Sequence, residues 1–216
     1  MEKTTPSVAT RLAFGFGIAF LVLLASLHFL EPEFDPSWRM ISEYAIGKYG
    51  FLMALAFFCW GGGFLALTVA LWHSLPTHGG FIGKWWLVVI SFAVMGAGIF
   101  TTSPITQTVR SNGDMVHAIC GAIMIFTFPI ASTLIARSLW HNHIFKPYGS
   151  TLLWFTVLVW LGFLSFLGAT IIFKPNGREY NASVWIGYPN RFLAVAYTLW
   201  LLVLARLTNR LQSHEQ

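Results

Sequence analysis

The sequence predicts an all-α integral membrane protein: a single six-helix transmembrane bundle over residues 1–216, with a short amphipathic helix in the first outer loop and both termini cytoplasmic. Three observations carry that reading. Of the 216 residues, 56% are hydrophobic and only 10% charged, with a mean hydropathy of +0.66. A solvated globule needs about a quarter charged residues to cover its surface. The apolar residues also fall in six stretches long enough to cross a hydrocarbon layer about 30 Å thick. Finally, the basic residues behind the net charge of +5 are scattered along the connecting segments. Scattered charge reads as membrane orientation, not as a nucleic-acid patch. Soluble, disordered, collagen-like and disulfide-rich classes are excluded, and Cys59 and Cys120 both fall inside apolar stretches as small packing residues.

The spans are placed at 12–30, 51–72, 81–100, 116–136, 152–173 and 189–206. Residues 1–11 are polar and basic ahead of an apolar run, but Phe29-Leu30-Glu31-Pro32 is no small-residue cleavage site, so the first stretch reads as an anchor. With the N-terminus inside, Lys3, Arg11, Lys84, Arg137, Lys146, Arg206 and Arg210 fall on the inner side. Arg39, Lys48, Arg110, Lys174, Arg178 and Arg191 fall on the outer side. Seven against six follows the positive-inside tendency, and the outer loops hold most of the acids, Glu31, Glu33, Asp35, Glu43, Asp114 and Glu179. The expected location is the cytoplasmic (inner) membrane.

In the first outer loop, Asp35-Pro36 is a helix start and Gly47 a stop. Trp38, Ile41 and Ala45 recur at helical spacing between them, predicting an amphipathic helix in the interface with Trp38 and Tyr44 at headgroup depth. In the second span, Gly61-Gly62-Gly63 allows a neighbouring helix to approach closely.

Polar residues near the outer rim supply the candidate site. The apolar run from Phe192 to Ala205 covers only about 21 Å at 1.5 Å per residue. If Arg206 sits at the inner headgroups, Arg191 stops short of the outer boundary. It then either snorkels outward or is buried beside an acceptor or anion, with Asn190 next to it at a proline-started helix. Ser111-Asn112-Gly113-Asp114 has the form of a capping box, which opens the fourth span. Asp114 and His117 then lie three apart on one face, where a carboxylate could orient an imidazole for general-base work. The alternative is a histidine that merely caps the interface. Ser42 beside His117 and Asp114 would supply the residue types of a Ser–His–acid hydrolase, although no nucleophile-elbow motif surrounds Ser42. His28 and His117 both lie toward the outer leaflet and could together hold haem or, with Glu43, a metal, but no second matched pair is present and no cofactor is expected.

Phe34-Asp35-Pro36 followed by Ile41-Ser42-Glu43-Tyr44-Ala45-x-Gly47 resembles the loop after the first helix in a bacterial and archaeal family known as domain of unknown function 998. His117 opening the fourth helix, Phe128-Pro129 further along it, and Asn190-Arg191-Phe192 at the start of the sixth extend the resemblance over essentially the whole chain. The resemblance implies a six-span membrane protein with no established activity. Family members often carry Asp-Pro after the third helix where this chain reads Thr102-Ser103-Pro104, a departure that weighs against an enzymatic role. The Ile-Ser-acid element is also distantly similar to that of Frag, autophagy-modulator and Sfk membrane proteins, which implies a tilt toward lipids.

The leading expectation is an outward-opening pocket that binds a lipid headgroup or small anionic ligand through Arg191, Asn190, Glu43 and Arg110. Membrane lipids are the expected partners, other membrane subunits are further candidates, and no nucleic acid is expected. Two alternatives stay open. One is a lipid hydrolase or transferase using His117, Asp114 and Ser42; the other is a non-catalytic subunit of a membrane complex in which these groups serve only as caps and interhelix bonds.

Overall fold

Six long helices carry the fold: α1 Val8–Leu30, α2 Gly50–Ala70, α3 His78–Ile99, α4 Asn112–His141, α5 Gly149–Phe173 and α6 Gly187–His214. The computed structural model describes residues 8–107, 109–173 and 180–214. Lys3, Lys174, Arg178 and Glu179, counted above for sidedness, lie outside them. Each helix is long and apolar enough to cross a membrane, and no strand occurs among the described residues. Large apolar side chains such as Phe14, Val22, Phe92, Ile119 and Trp154 are exposed around the bundle. That surface suits hydrocarbon rather than water.

The spans agree with the sequence reading at their centres; all six start earlier, α4 and α6 also end later, and α2 and α3 stop at Ala70 and Ile99, short of the predicted ends. Thr77 caps α3 by accepting from the Gly80 amide at 3.0 Å, so the helix starts before the apolar period begins. Ser111 caps α4 in the same way, accepting from Asp114 N at 3.1 Å. Helix α4 then runs through Pro129 to His141. Proline cannot donate to the carbonyl four residues back. The freed carbonyl of Ile125 instead accepts from Tyr197 Oη on α6 at 2.9 Å.

Chain neighbours pack side by side, and α6 closes the ring against α1 while also touching α2. Helix α6 is the most enclosed span, with 67% of its most apolar stretch buried. Aromatic rings cross the core from α1 to α6: Phe20 stacks on Trp60 at 4.3 Å, and Phe128 meets Phe64 at 4.9 Å and Tyr197 at 4.5 Å. Such pairs contribute about 0.5–1.5 kcal/mol each beyond their burial. Gly61 lets α2 lie directly on α3, since a Cβ there would stand 2.6 Å from the Ser91 carbonyl oxygen. Thr10 on α1 donates to Asn209 on α6 at 3.1 Å, which puts the start of α1 and the end of α6 on one face. The opposite, distal face carries the α1–α2, α3–α4 and α5–α6 connections.

The first distal loop is folded into the bundle. Its helix is a six-residue 3-10 segment, Ile41–Ile46, in place of an amphipathic α-helix lying in the interface. Ile41, Glu43 and Tyr44 are buried, so Tyr44 is a core residue and not a headgroup anchor. Glu31 also departs from its expected place in a solvated loop. It is fully buried, and its Oε1 accepts from the Tyr49 amide at 2.5 Å, tying the end of α1 to the start of α2. Gly47 lies against that carboxylate with no space for a Cβ. The loop thus closes over the Glu31 carboxylate, whose Oε1 is met by loop backbone while Oε2 has no hydrogen bond among the described residues.

Candidate binding site

Under the distal loops lies a cavity of about 340 Å³. Its rim is polar, with Ser42, Glu43, Thr102, Ser103, Asp114 and His117, while its depth is apolar, with Phe57, Trp60, Val94, Met124, Phe166 and Leu193. At about 1.5 Å per residue, His117 sits roughly 8 Å below the start of α4 and Trp60 roughly 15 Å below the start of α2. The cavity reaches the side of the bundle at the α4–α5 seam. There its wall includes Ala122 and Phe126, both exposed on the bundle's outside. Gly121 lines the same wall, and a Cβ there would meet nothing within 4 Å. The space therefore faces both the distal surface and the membrane interior.

The two rim carboxylates hold the loops together. Glu43 accepts from the Met40 amide through Oε2 at 2.9 Å, and from the Ile105 amide through Oε1 at 2.8 Å. Arg39 pairs with the same Oε1 at 3.0 Å. Burial pushes the Glu43 carboxyl above its usual range, against the opposing pull of these amides, Arg39 and Arg191. Asp114 Oδ1 accepts from the Ser103 amide at 3.0 Å and from Thr102 Oγ1 at 3.2 Å, and its Oδ2 lies 3.7 Å from Arg110 Nε. The α3–α4 connection is thus pinned to both the first loop and the start of α4.

His117 is oriented by backbone, not by Asp114. Its Nδ1 lies 3.0 Å from the Ala97 carbonyl oxygen and 2.8 Å from that of Phe100. Both partners are acceptors, so Nδ1 carries the proton and donates. The last carbonyls of a helix lack intrahelical partners, and His117 supplies one at the end of α3. Its Nε2 is then left as an acceptor, with no hydrogen bond among the described residues, in a ring that lines the cavity. Ser42 lines the cavity too, without a hydrogen bond to His117 among the described residues. The three residues of the considered hydrolase relay share a rim but are not linked as one.

Arg191 stands behind the wall. Its Nε donates to His28 Nε2 at 2.7 Å and Nη2 to Tyr44 Oη at 3.0 Å. Nη1 donates to the carbonyl oxygens of Arg39 at 2.6 Å, Pro36 at 3.2 Å and Gly187 at 3.2 Å. The guanidinium is buried, and its partners are loop backbone and two side chains. His28 also donates from Nδ1 to the Leu24 carbonyl at 2.7 Å, so both its ring nitrogens are engaged. Among the described residues, no group of three His, Cys, Asp or Glu is arranged to hold a metal ion.

Asn190 faces the other way. Its Oδ1 accepts from the Ile41 amide at 3.0 Å, and Nδ2 makes no hydrogen bond among the described residues in a side chain that lines the cavity. The structure therefore brings Ser42, Glu43, Asp114, His117, Asn190 and Arg110 to one cavity and leaves Arg191 outside it. Residue types alone did not point to Trp60, whose buried Nε1 has no acceptor among the described residues, or to the paired Tyr197 and Ile125. The Phe128-Pro129 step inside an apolar span was the available signal for that pair.

A family model described as "Protein of unknown function (DUF998)" matches residues 13–207. No curated protein matches the chain, and no solved structure does.

Proposed function

The chain belongs to the DUF998 family of proteins of unknown function, and from that premise we propose that this multi-pass membrane protein binds a lipid in the cytoplasmic membrane, polar end at the distal rim and chain in the apolar depth. The observation that carries the reading is the cavity itself. One space joins a polar rim to an apolar floor and opens sideways between α4 and α5. Ligand sites are concave and mostly apolar, with a few polar groups that set orientation. His117, Asn190 and Ser42 contact the polar end, with Arg110 at the mouth. Glu43, Asp114 and Arg191 position the loops that form the rim.

Native mass spectrometry of the gently solubilised protein, alongside Gly121→Phe, tests this. Gly121 lines the cavity and a Cβ there meets nothing within 4 Å, so the variant adds bulk at the wall where the α4–α5 opening lies. Wild type should retain a lipid adduct that the variant lacks. Equal adducts on both, or none on wild type, would sink the proposal.

A second reading rests on the His117 tautomer. With Nδ1–H committed to the Ala97 and Phe100 carbonyls, Nε2 is held ready to accept a proton from a bound hydroxyl or water. A lipid-modifying enzyme would then use His117 alone as base. Incubation with membrane lipid extract followed by lipid mass spectrometry tests it: turnover absent in His117→Ala with adducts retained supports the reading, and no turnover by wild type removes it.

A further inference from the structure

We infer that the cavity selects an uncharged, hydroxyl-bearing lipid, an acylglycerol, over a phospholipid or a fatty acid. The inference rests on the binding reading above and identifies the chemistry of the polar end.

The charges at the rim are already balanced. Arg39 is paired with Glu43 at 3.0 Å and Arg110 faces Asp114 at 3.7 Å, while Arg191 is committed to the loop and His28. An anionic headgroup placed beside His117 would lie among two carboxylates with no uncommitted buried cation to meet it. Burying a charge without a partner is strongly unfavourable. A cationic headgroup fares little better. The carboxylate oxygens facing it already accept from the Met40, Ile105 and Ser103 amides and from Thr102.

Two neutral polar atoms on the cavity wall have no hydrogen bond among the described residues. In the neutral ring, with Nδ1–H donating to the two carbonyls, His117 Nε2 is an acceptor. Asn190 Nδ2 is a donor, because Oδ1 is taken by Ile41. Both side chains line the same cavity. A hydroxyl group donates and accepts at one oxygen, which complements this pair as neither a phosphate nor an ammonium does. Trp60 adds an independent observation: its indole N–H is buried in the cavity wall with no acceptor among the described residues. Leaving such a donor unmet is unfavourable, and the carbonyl of an ester is a suitable acceptor for it. Hydroxyl and ester carbonyl together describe an acylglycerol.

The test is a competition in detergent micelles between dioleoylglycerol and dioleoyl phosphatidate, which share acyl chains and differ in the headgroup, read by native mass spectrometry. Wild type should take up dioleoylglycerol at least about tenfold in preference to phosphatidate, a difference of about 1.4 kcal/mol. Asn190→Asp retains an oxygen for the Ile41 amide but removes the donor, and should lower dioleoylglycerol uptake several-fold while the added carboxylate still keeps phosphatidate out; dioleoylglycerol uptake equal to wild type would overturn the assignment of Asn190 to the hydroxyl. Gly121→Phe should exclude both lipids while keeping the wild-type melting behaviour. Equal or greater uptake of phosphatidate by wild type, still blocked by Gly121→Phe, overturns the headgroup inference and leaves the binding reading standing. Uptake unaffected by Gly121→Phe, or uptake of neither lipid by wild type, overturns both.

Discussion

Tyr197 on α6 donates its hydroxyl to the Ile125 carbonyl on α4 at 2.9 Å, the carbonyl that Pro129 leaves without a helical partner. In hydrocarbon no water can take that place, so one phenol both repairs the break in α4 and fastens α4 to α6. Tyr197→Phe should destabilise the protein by about 0.6–1.7 kcal/mol, the range seen for interhelical hydrogen bonds in membranes. Pro129→Ala restores an N–H to the ladder, so the same tyrosine change should cost less in that background. Unfolding of the four proteins of this cycle in mixed micelles measures the coupling; costs that simply add would show that the phenol does not stand in for the missing amide.

The six spans and the helix cap at Ser111 were legible because both depend on residue type and spacing alone, although the Asp114 side chain does not close the reciprocal half of a capping box. Bilayer thickness sets the first, and a side-chain oxygen facing Asp114 N sets the second. Sequence also placed Arg191 short of the outer boundary, either snorkelling outward or buried beside a partner. It could not show the partners, because three of the five are backbone carbonyl oxygens, two of them in the first loop, and backbone atoms are the same in every residue. The same limit hid the environment of His117. Spacing put Asp114 on its face, but Asp114 reaches back to Thr102 and Ser103, and the ring turns to the open carbonyls at the end of α3. The short loop helix was misjudged for a related reason. Its apolar spacing fitted an interfacial helix, while buried contacts made by Glu43 and Tyr44 draw it into the bundle.

Arg191 shapes the rim through five hydrogen bonds made by three nitrogens of one planar group. A lysine has a single ammonium and cannot reproduce that fork. Arg191→Lys should therefore lose at least one charge-assisted bond, about 1.5–3 kcal/mol. Hydrogen exchange should rise first at the amides of residues 37–46, before any change in the helix cores. Uniform acceleration over all six helices would instead assign Arg191 to global stability.

Two glycines should respond in opposite directions to the same substitution. At Gly187 a Cβ would stand 2.8 Å from the Arg39 carbonyl oxygen and closer still to that of Pro36, both backbone atoms that cannot swing aside. Gly187 N also donates to the Ser37 carbonyl at 2.9 Å, fixing the close approach. Gly187→Ala should cost about 1–3 kcal/mol by overpacking. At Gly121, where no atom lies within 4 Å of the added methyl, alanine should stabilise the helix by about 0.5–1 kcal/mol. Thermal melts of the two variants in one detergent decide it, and a loss at Gly121 would mean that the α4–α5 seam closes further than this structure shows.

Glu43 gives the loop a pH dependence of definite sign. Burial outweighs the pull of Arg39 and the Met40 and Ile105 amides, so the folded carboxyl titrates above its ordinary 4.5. Folding then favours the protonated form. The contribution is fully present below 4.5, is lost as pH rises through the raised folded value, and is level above it. Asp35 acts in the reverse sense, since the Ser37 amide lowers its pKa, but only at or below its ordinary 3.8. Wild type should therefore lose stability, relative to Glu43→Gln, as pH is raised from about 4.5 toward neutrality. The glutamine variant carries no titrating group at this position and supplies the reference against which the slope is read. Only the slope reports the titration, so parallel midpoint curves for the two proteins would show that Glu43 stays ionised throughout that range.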